Sequence, residues 1–310
     1  MYFEGAEKKI ELVSRGAAFR GRPESFWHAL VDVAGAKILS KVSSDRCDAY
    51  LLSESSLFVW DDRVTMITCG RTTLARAVLF LCDQVNPGHI DFFSYQRKNE
   101  YFPHLQETDF FRDIEQLRGI VPGKAFRFGT PDEHHVNLYH LDKPFRPEGA
   151  ESTLEILMYN LQGRANEIFS CNQTIERVRE IIKLEAVFPD FVIDDHLFDP
   201  CGYSLNAVRG SDYYTIHVTP EDVGSYVSFE TNVRLGNRKA TVMRSVVDVF
   251  QPRSFDVVYF HPERELPPFD VPPFVQRGFT RESLSCGFEV GFSSYYLPVT
   301  EPLRAVPLDI

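Results

Sequence analysis

Glu54 and Ser55 stand inside AYLLSESSLFVW, residues 49–60, a run that is otherwise apolar and strand-like. A carboxylate and hydroxyls are costly in a buried strand unless they are partnered or do chemistry. A Glu-Ser bond held in a turn between two apolar arms suits backbone self-cleavage. The Ser55 hydroxyl attacks the Glu54 carbonyl, the amide becomes an ester, and elimination leaves a ketone, a pyruvoyl group, at the new chain start. The bland alternative is a polar turn with serine at its usual positions, and the motif alone does not separate the two.

Three other segments carry reactive residue types. In FEGAEKKIE, residues 3–11, Glu7 and Glu11 share a face if the segment is helical; Glu7, Lys9 and Glu11 share one if it is a strand. A solvated charged edge is the ordinary alternative. In TCGRTTL, residues 68–74, Cys69 ends a strand, Gly70 permits a sharp turn and Thr72 caps a helix. A thiol near a helix N-terminus is expected to have a lowered pKa; a small buried hydrophobe is the commoner fate of a lone cysteine. In FDPCGYSLN and YYTIHVTPE, residues 198–221, Ser204 and His217 lie on neighbouring strand-like runs with Glu221 beyond. Such a pair allows base chemistry near neutral pH, against a satisfied core histidine and a turn serine. A Ser204–His217–Glu221 hydrolase triad is a rival, but it lacks a Gly-x-Ser-x-Gly elbow and leaves LSESS unexplained. Pro220 breaks any helix that would align His217 and Glu221 on a metal, so no metal is expected.

The chain has 310 residues, 44% apolar and 25% charged, which is ordinary for a soluble globular protein with a large core. With 44 acidic and 33 basic residues the net charge is −11, which argues against a nucleic-acid surface and mildly favours a cationic substrate. No apolar run is long enough to span a bilayer, and MYFEGAEKK lacks the hydrophobic region of a signal peptide. Six cysteines without a CxxC pair indicate free thiols in a reducing compartment, hence a cytoplasmic location. The sequon at Asn172 is then a chance match.

Strand-like runs dominate, at 49–59, 63–68, 90–96, 136–141, 152–159, 212–219, 224–231, 255–261 and 287–296. Helical periodicity marks 25–35 (through Phe26, Leu30 and Val33), 72–84, 174–186 behind a Thr174 cap, and 238–250. The class is α+β, with helices covering sheet faces. A hairpin-like segment (49–69) leads into the helix at 72–84, and another (203–231) into the helix at 238–250. This echo suggests a duplication joined at 142–151. The proline-rich 261–275 is a loop.

Taken in order, FEGAEKKIE, YLLSESSLFV, TCG, STLEILM, FDPCGYSLN, YYTIHVTPED and SYVSFETN resemble eukaryotic S-adenosylmethionine decarboxylase over roughly residues 2–260. The resemblance implies a proenzyme, a single domain spanning 1–310 with two repeats (roughly 1–145 and 150–310). Its fold is a four-layer α/β/β/α sandwich of two antiparallel sheets. It cuts itself into 1–54 and 55–310, the larger chain beginning with the pyruvoyl made from Ser55. Decarboxylation of S-adenosyl-L-methionine then proceeds through a Schiff base to that group, supplying aminopropyl groups for spermidine and spermine. By the same resemblance Cys69 donates the returning proton, His217 removes the proton that drives ester elimination, and Ser204 stabilises the cleavage intermediate. Phe3 and Phe198 sandwich the adenine, Glu221 holds the ribose hydroxyls, and Glu4 and Glu7 line the substrate region. The human-type enzyme is a homodimer, whereas trypanosome-type enzymes pair with an inactive paralogue. The chain could itself be such an inactive, activating paralogue, but these typically lose the cleavage serine or its helpers, and Ser55, Cys69, Ser204 and His217 are all kept.

The chain departs from the mammalian pattern where putrescine binds. Glu11, Glu155 and Glu230 match the acids of that site, with Glu151 in place of Asp. Lys9, however, stands where the mammalian type has Leu and plant and trypanosome types have Arg. A buried cation there is expected to supply the diamine's charge. Ile67 replaces a mammalian-type Lys. Arg71 replaces a usual Thr, and either stabilises a Cys69 thiolate or points to solvent.

Overall fold

The computed structural model describes residues 3–85, 87–147, 151–169, 173–221, 224–262, 270–299 and 305. Cys171, Asn172, residues 148–150 of the expected connection and 263–269 of the proline-rich stretch lie outside them.

Two eight-stranded antiparallel sheets form the molecule. The first holds β1 (Lys8–Val13), β2 (Ile38–Ser43), β3 (Asp48–Leu52), β4 (Ser55–Val59), β5 (Arg63–Thr68), β6 (Phe92–Lys98), β7 (Gly123–Phe128) and β8 (Val136–Leu141). The second holds β9 (Thr153–Leu161), β10 (Val192–Leu197), β11 (Tyr203–Arg209), β12 (Asp212–Thr219), β13 (Tyr226–Thr231), β14 (Pro252–His261), β15 (Val275–Ser283) and β16 (Glu289–Tyr296). The orders are β2-β3-β4-β5-β1-β6-β8-β7 and β10-β11-β12-β13-β9-β14-β16-β15. The second repeats the first with every strand number raised by eight.

Strand alternation decides which residues face which layer. On β1, Ile10 and Leu12 turn outward and pack with Leu57, Met66 and the helix residues Trp27, Leu30, Val78 and Leu81. Those helices are α1 (Glu24–Ala34) and α2 (Leu74–Gln84), joined by α3 (Phe110–Leu117). Over the second sheet lie α4 (Gly163–Phe169), α5 (Ile175–Ile182) and α6 (Lys239–Phe250), whose Val178, Val246 and Phe250 pack on Ile156, Met158 and Ile216. Each such aliphatic side chain contributes about 1.5–3 kcal/mol by burial. The remaining faces meet each other, as cross-sheet hydrogen bonds show: Lys9 Nζ to Glu155 at 2.9 Å, Ser56 Oγ to Asn206 at 2.6 Å and Trp60 Nε1 to the Ser211 carbonyl at 3.1 Å. The layers are therefore α/β/β/α.

Several local expectations need correction. The buried face of α1 is Trp27, Leu30, Val31 and Ala34; Val33 is exposed. The N-cap of α2 is Thr73, not Thr72, and it makes no side-chain cap hydrogen bond. Thr174 caps α5 as expected, accepting from the Arg177 N–H. FEGAEKKIE is a strand from Lys8 onward. Among the described residues the five cysteines are free thiols, no helix is long and apolar enough to cross a membrane, and no cluster of His, Cys, Asp and Glu is arranged to hold a metal.

Candidate active site

AYLLSESSLFVW is a hairpin: β3 and β4 pair, and the turn between them carries Ser53 and Glu54. Ser55 leaves that turn with φ +127°, a conformation that costs a non-glycine residue about 1–3 kcal/mol. Its side chain is buried, with Oγ 3.1 Å from both ring nitrogens of His217 on β12. His217 Nδ1 lies 2.9 Å from Glu7 Oε1. Burial pushes the Glu7 carboxyl up, but Lys98, His217 and Ser228 outweigh it and hold it at about 2. Glu7 is therefore an ionised acceptor. An acceptor at Nδ1 assigns the proton to Nδ1 and leaves the Nε2 lone pair facing the hydroxyls of Ser55, Ser56 (2.8 Å) and Thr215 (3.1 Å).

The Glu54 carbonyl oxygen accepts two hydrogen bonds from one residue: the Cys69 N–H at 3.0 Å and the Cys69 Sγ–H at 3.4 Å. Two donors on one carbonyl draw electron density from its carbon, as an oxyanion hole does. Ser204 on β11 is buried and lies directly opposite His217 in the strand register.

The expectation of a low thiol pKa at Cys69 is wrong. The residue precedes α2 by five positions, and burial, together with Glu54 and Glu7, pushes its thiol well above the ordinary value, opposed by Lys8. Arg71 is exposed, which favours its solvent-pointing reading; the cation near the thiol is buried Lys8, whose Nζ donates to the Gly70 carbonyl and Gln106. Burial and Arg97 push Lys8 down to about 8.

Gly70, at φ +63°, brings the N-terminal segment to the hairpin. A Cβ there would stand 2.7 Å from Glu54 Oε2 and 3.1 Å from the Phe3 ring. Glu54 is pushed up to about 7 by burial, opposed by Lys8, and its Oε2 is buried without a partner. The Phe3 N–H donates to Glu221 Oε1 at 2.9 Å. Glu221 thus lies at Phe3, while the acid on His217 is Glu7, so no Ser204–His217–Glu221 triad forms. Glu4 accepts from the Ala6 and Phe102 N–H groups. Phe198 is half-buried at the end of β10, edge-on to His196 at 4.7 Å.

Behind this site runs a buried charge layer. Lys9 Nζ lies 2.9 Å from Glu155 and 2.8 Å from Glu230. Lys98 reaches Glu7 at 3.1 Å and Glu155 at 3.5 Å, and Arg63 stands 3.8 Å from Glu11. Burial and Glu155 push Glu230 up to about 7 against the pull of Lys9. Glu155 is held below its ordinary value because Lys9 and Lys98 overcome its burial. Glu151 is half-buried just ahead of β9.

Sequence reading passed over Ser56, Asn206, Thr215, Ser228, Lys98 and Lys8. A signal was present: Ser204/Asn206 on β11, Thr215/His217 on β12 and Ser228/Glu230 on β13 are polar residues two apart, the pattern of one strand face aimed at the other sheet.

Fold and site together define a class: a four-layer sandwich with a buried, histidine-backed serine between its sheets. The chain belongs to the adenosylmethionine decarboxylase family, whose profile matches residues 1–271. It is 36% identical over 279 residues to the S-adenosylmethionine decarboxylase proenzyme of Trypanosoma cruzi, covering 83% of this chain and 75% of that one. To the Xenopus laevis proenzyme it is 36% identical over 279 residues, covering 84% and 83%. To that of Dictyostelium discoideum it is 31% identical over 328 residues, covering 94% and 85%. Its fold is similar to the crystal structure of the Trypanosoma brucei AdoMetDC-delta26 monomer, with TM-score 0.60 and 28% identity, covering 78% of this chain and 99% of that one.

Proposed function

We propose that this decarboxylase is a single self-processing domain of two repeats, 1–145 and 150–310, that cuts itself between Glu54 and Ser55 and turns Ser55 into a pyruvoyl group. The observation that carries the reading is the alignment of Ser55 Oγ on His217, backed by Glu7, beside a Glu54 carbonyl bonded twice by Cys69.

His217 Nε2 accepts the Ser55 hydroxyl proton as Oγ bonds to the Glu54 carbonyl carbon. The developing oxyanion is held by the Cys69 N–H and Sγ–H, with Ser204 assisting from β11. As the C–N bond breaks, His217 returns that proton to the leaving nitrogen, which leaves an ester, a free amine and a neutral His217. His217 then takes the Cα proton of residue 55, the Glu54 carboxylate departs, and water displaces the amine as ammonia.

The surroundings fit the resulting group: position 55 is buried, with a high-pKa thiol and an orphaned carboxylate oxygen, Glu54 Oε2, beside it. A pyruvoyl carbonyl there supplies an electrophile for the substrate amine and an electron sink for loss of carbon dioxide. Cys69, kept protonated by burial, returns the proton to the carbon that lost its carboxylate. Phe3 and Phe198 hold the adenine and attract the sulfonium. Glu221 takes the ribose hydroxyls, and Glu4, bonded to two backbone N–H groups, shapes this pocket. The product carries the aminopropyl group used for spermidine and spermine.

Borohydride added with substrate tests the reading. Label from S-adenosylmethionine is expected on the fragment that begins at residue 55 and absent from His217→Ala. Decarboxylation by a chain that stays uncut would overturn it.

Lys9 takes the place of an activating diamine. The carboxylates Glu7, Glu11, Glu155 and Glu230 already face Lys9, Lys98, Arg63 and His217. Decarboxylation by the wild type is expected to be indifferent to putrescine, and Lys9→Leu is expected to require it. Strong activation of the wild type would refute this.

A further inference from the structure

Lys8, the first residue of β1, is 1% exposed, yet among the described residues no carboxylate pairs with its ammonium. Nζ donates instead to two neutral oxygens, the Gly70 carbonyl at 3.2 Å and Gln106 Oε1 at 2.8 Å. A buried ammonium is ordinarily matched by an acid. Here Arg97 lies directly opposite Lys8 in the register of β1 and β6 and opposes its charge, while on β5 the facing residue is the neutral Thr68. The charged and titratable groups that favour the ammonium act on it from further off. They are Glu100 ahead of α3, Asp113 on α3, the Cys69 thiol after β5 and Glu54 in the hairpin turn. Glu100 and Asp113 are themselves paired with Arg97.

Gln106 belongs to the connection 99–109 between β6 and α3. Its neighbours Leu105 and Glu107 are exposed, while its own side chain is half-buried against Lys8. The connection is pinned on both sides of it. The Phe102 N–H donates to Glu4 at 3.0 Å, and Arg97 reaches Glu100 at 2.6 Å and Thr108 Oγ1 at 3.2 Å. Gln106 Nε2 is buried with no partner among the described residues. An orphaned amide donor is a cost that methionine, of similar length, would avoid. What glutamine supplies here is its carbonyl at Lys8. A glutamate would pair with the ammonium and cancel most of its field; a neutral carbonyl orients the charge and leaves it active.

We propose that Gln106 is a positioning residue for decarboxylation: its carbonyl holds the Lys8 ammonium against the Cys69–Gly70 turn, where the positive charge helps the Cys69 thiol release its proton. The ammonium opposes the rise that burial imposes on that thiol. In the uncut chain Lys8 gives up its proton at about pH 8. The carboxylate that the proposed cleavage adds at residue 54 moves that loss upward. Once the charge is gone the thiol is a weaker acid, and decarboxylation slows. The proposal rests on the acid role proposed for Cys69.

The pH dependence of kcat, measured per cleaved chain, tests this, because kcat reports groups in the enzyme–substrate complex. Wild-type kcat is expected to fall at about pH 8 or above. Gln106→Glu sets a carboxylate on Lys8 and favours its charged form. It is expected to move that fall up by about one unit or more while lowering the plateau. Gln106→Met removes an acceptor of the charged form and is expected to move the fall to lower pH. Lys8→Met is expected to abolish it. Melting temperature and gels check that each variant folds and is processed, and Gln106→Met decides the matter if Gln106→Glu is not. An unmoved fall in both Gln106 variants, a shift of both in one direction, or a fall that persists in Lys8→Met overturns the proposal and leaves Cys69 as the acid. Decarboxylation by Cys69→Ala at the wild-type rate overturns the acid role itself, and the proposal with it.

Discussion

At Cys69 a backbone N–H and a thiol meet the same carbonyl oxygen, that of Glu54. Cys69→Ala keeps the first donor and removes the second. Self-cleavage is expected to slow about 10²–10³-fold, the usual cost of one oxyanion donor. Decarboxylation by whatever material is processed is expected to fall about 10²–10⁴-fold with loss of the acid. Fragment appearance on gels and carbon dioxide release measure the two separately; unchanged rates would remove Cys69 from both roles. Glu7 makes a prediction about pH. Its carboxyl falls from an ordinary 4.5 to about 2 on folding, so it contributes stability above pH 4.5 that is lost as pH falls through 2. The contribution is about 3 kcal/mol. Glu7→Gln is expected to lower the melting temperature at pH 7 and to flatten its decline between pH 4.5 and 2; parallel wild-type and variant curves would contradict this.

The elements that position the site are two turns. One twists Ser55 to φ +127° at the head of β4; the other lets Gly70 admit Glu54 and the Phe3 ring. Gly70→Ala places an L-residue at φ +63°, costing about 1–2 kcal/mol, and pushes its Cβ into both neighbours. Slower processing and a raised KM for S-adenosylmethionine are expected together; a change in stability alone would show that the contact is incidental. The hairpin was legible because an acid and hydroxyls interrupt an apolar run. The edge strands β7 and β15 were not, because their residues are largely exposed and carry no buried alternation. The face of α1 was misjudged because Phe26 and Trp27 are both large and apolar, and only packing shows that Trp27 is the one fully buried. The Cys69 thiol was misread because proximity to a helix start says nothing of burial, which here dominates.

Across the whole molecule the site is assembled from both sheets, Ser55 from the first and His217 from the second, so the proposed cleavage requires the sheets to be docked. The sequence displayed the participating residue types, but which of them face one another depends on strand register between segments up to 221 positions apart, as for Glu7 and Ser228. Topology also predicts the fate of the fragments. Residues 1–54 contain β1, which pairs with β5 on one side and β6 on the other. The proposed cleavage would therefore leave the small fragment hydrogen-bonded in the middle of a sheet, and the two pieces are expected to co-elute on size exclusion until denatured. Separation in native buffer would contradict that placement. The central claim is tested most directly by intact mass under denaturing conditions. Wild type is expected to give two species, 1–54 and 55–310, the larger reacting with hydroxylamine at its first residue, and Ser55→Ala a single uncut chain. A wild-type preparation that decarboxylates substrate while remaining one chain with no reactive carbonyl would contradict the account.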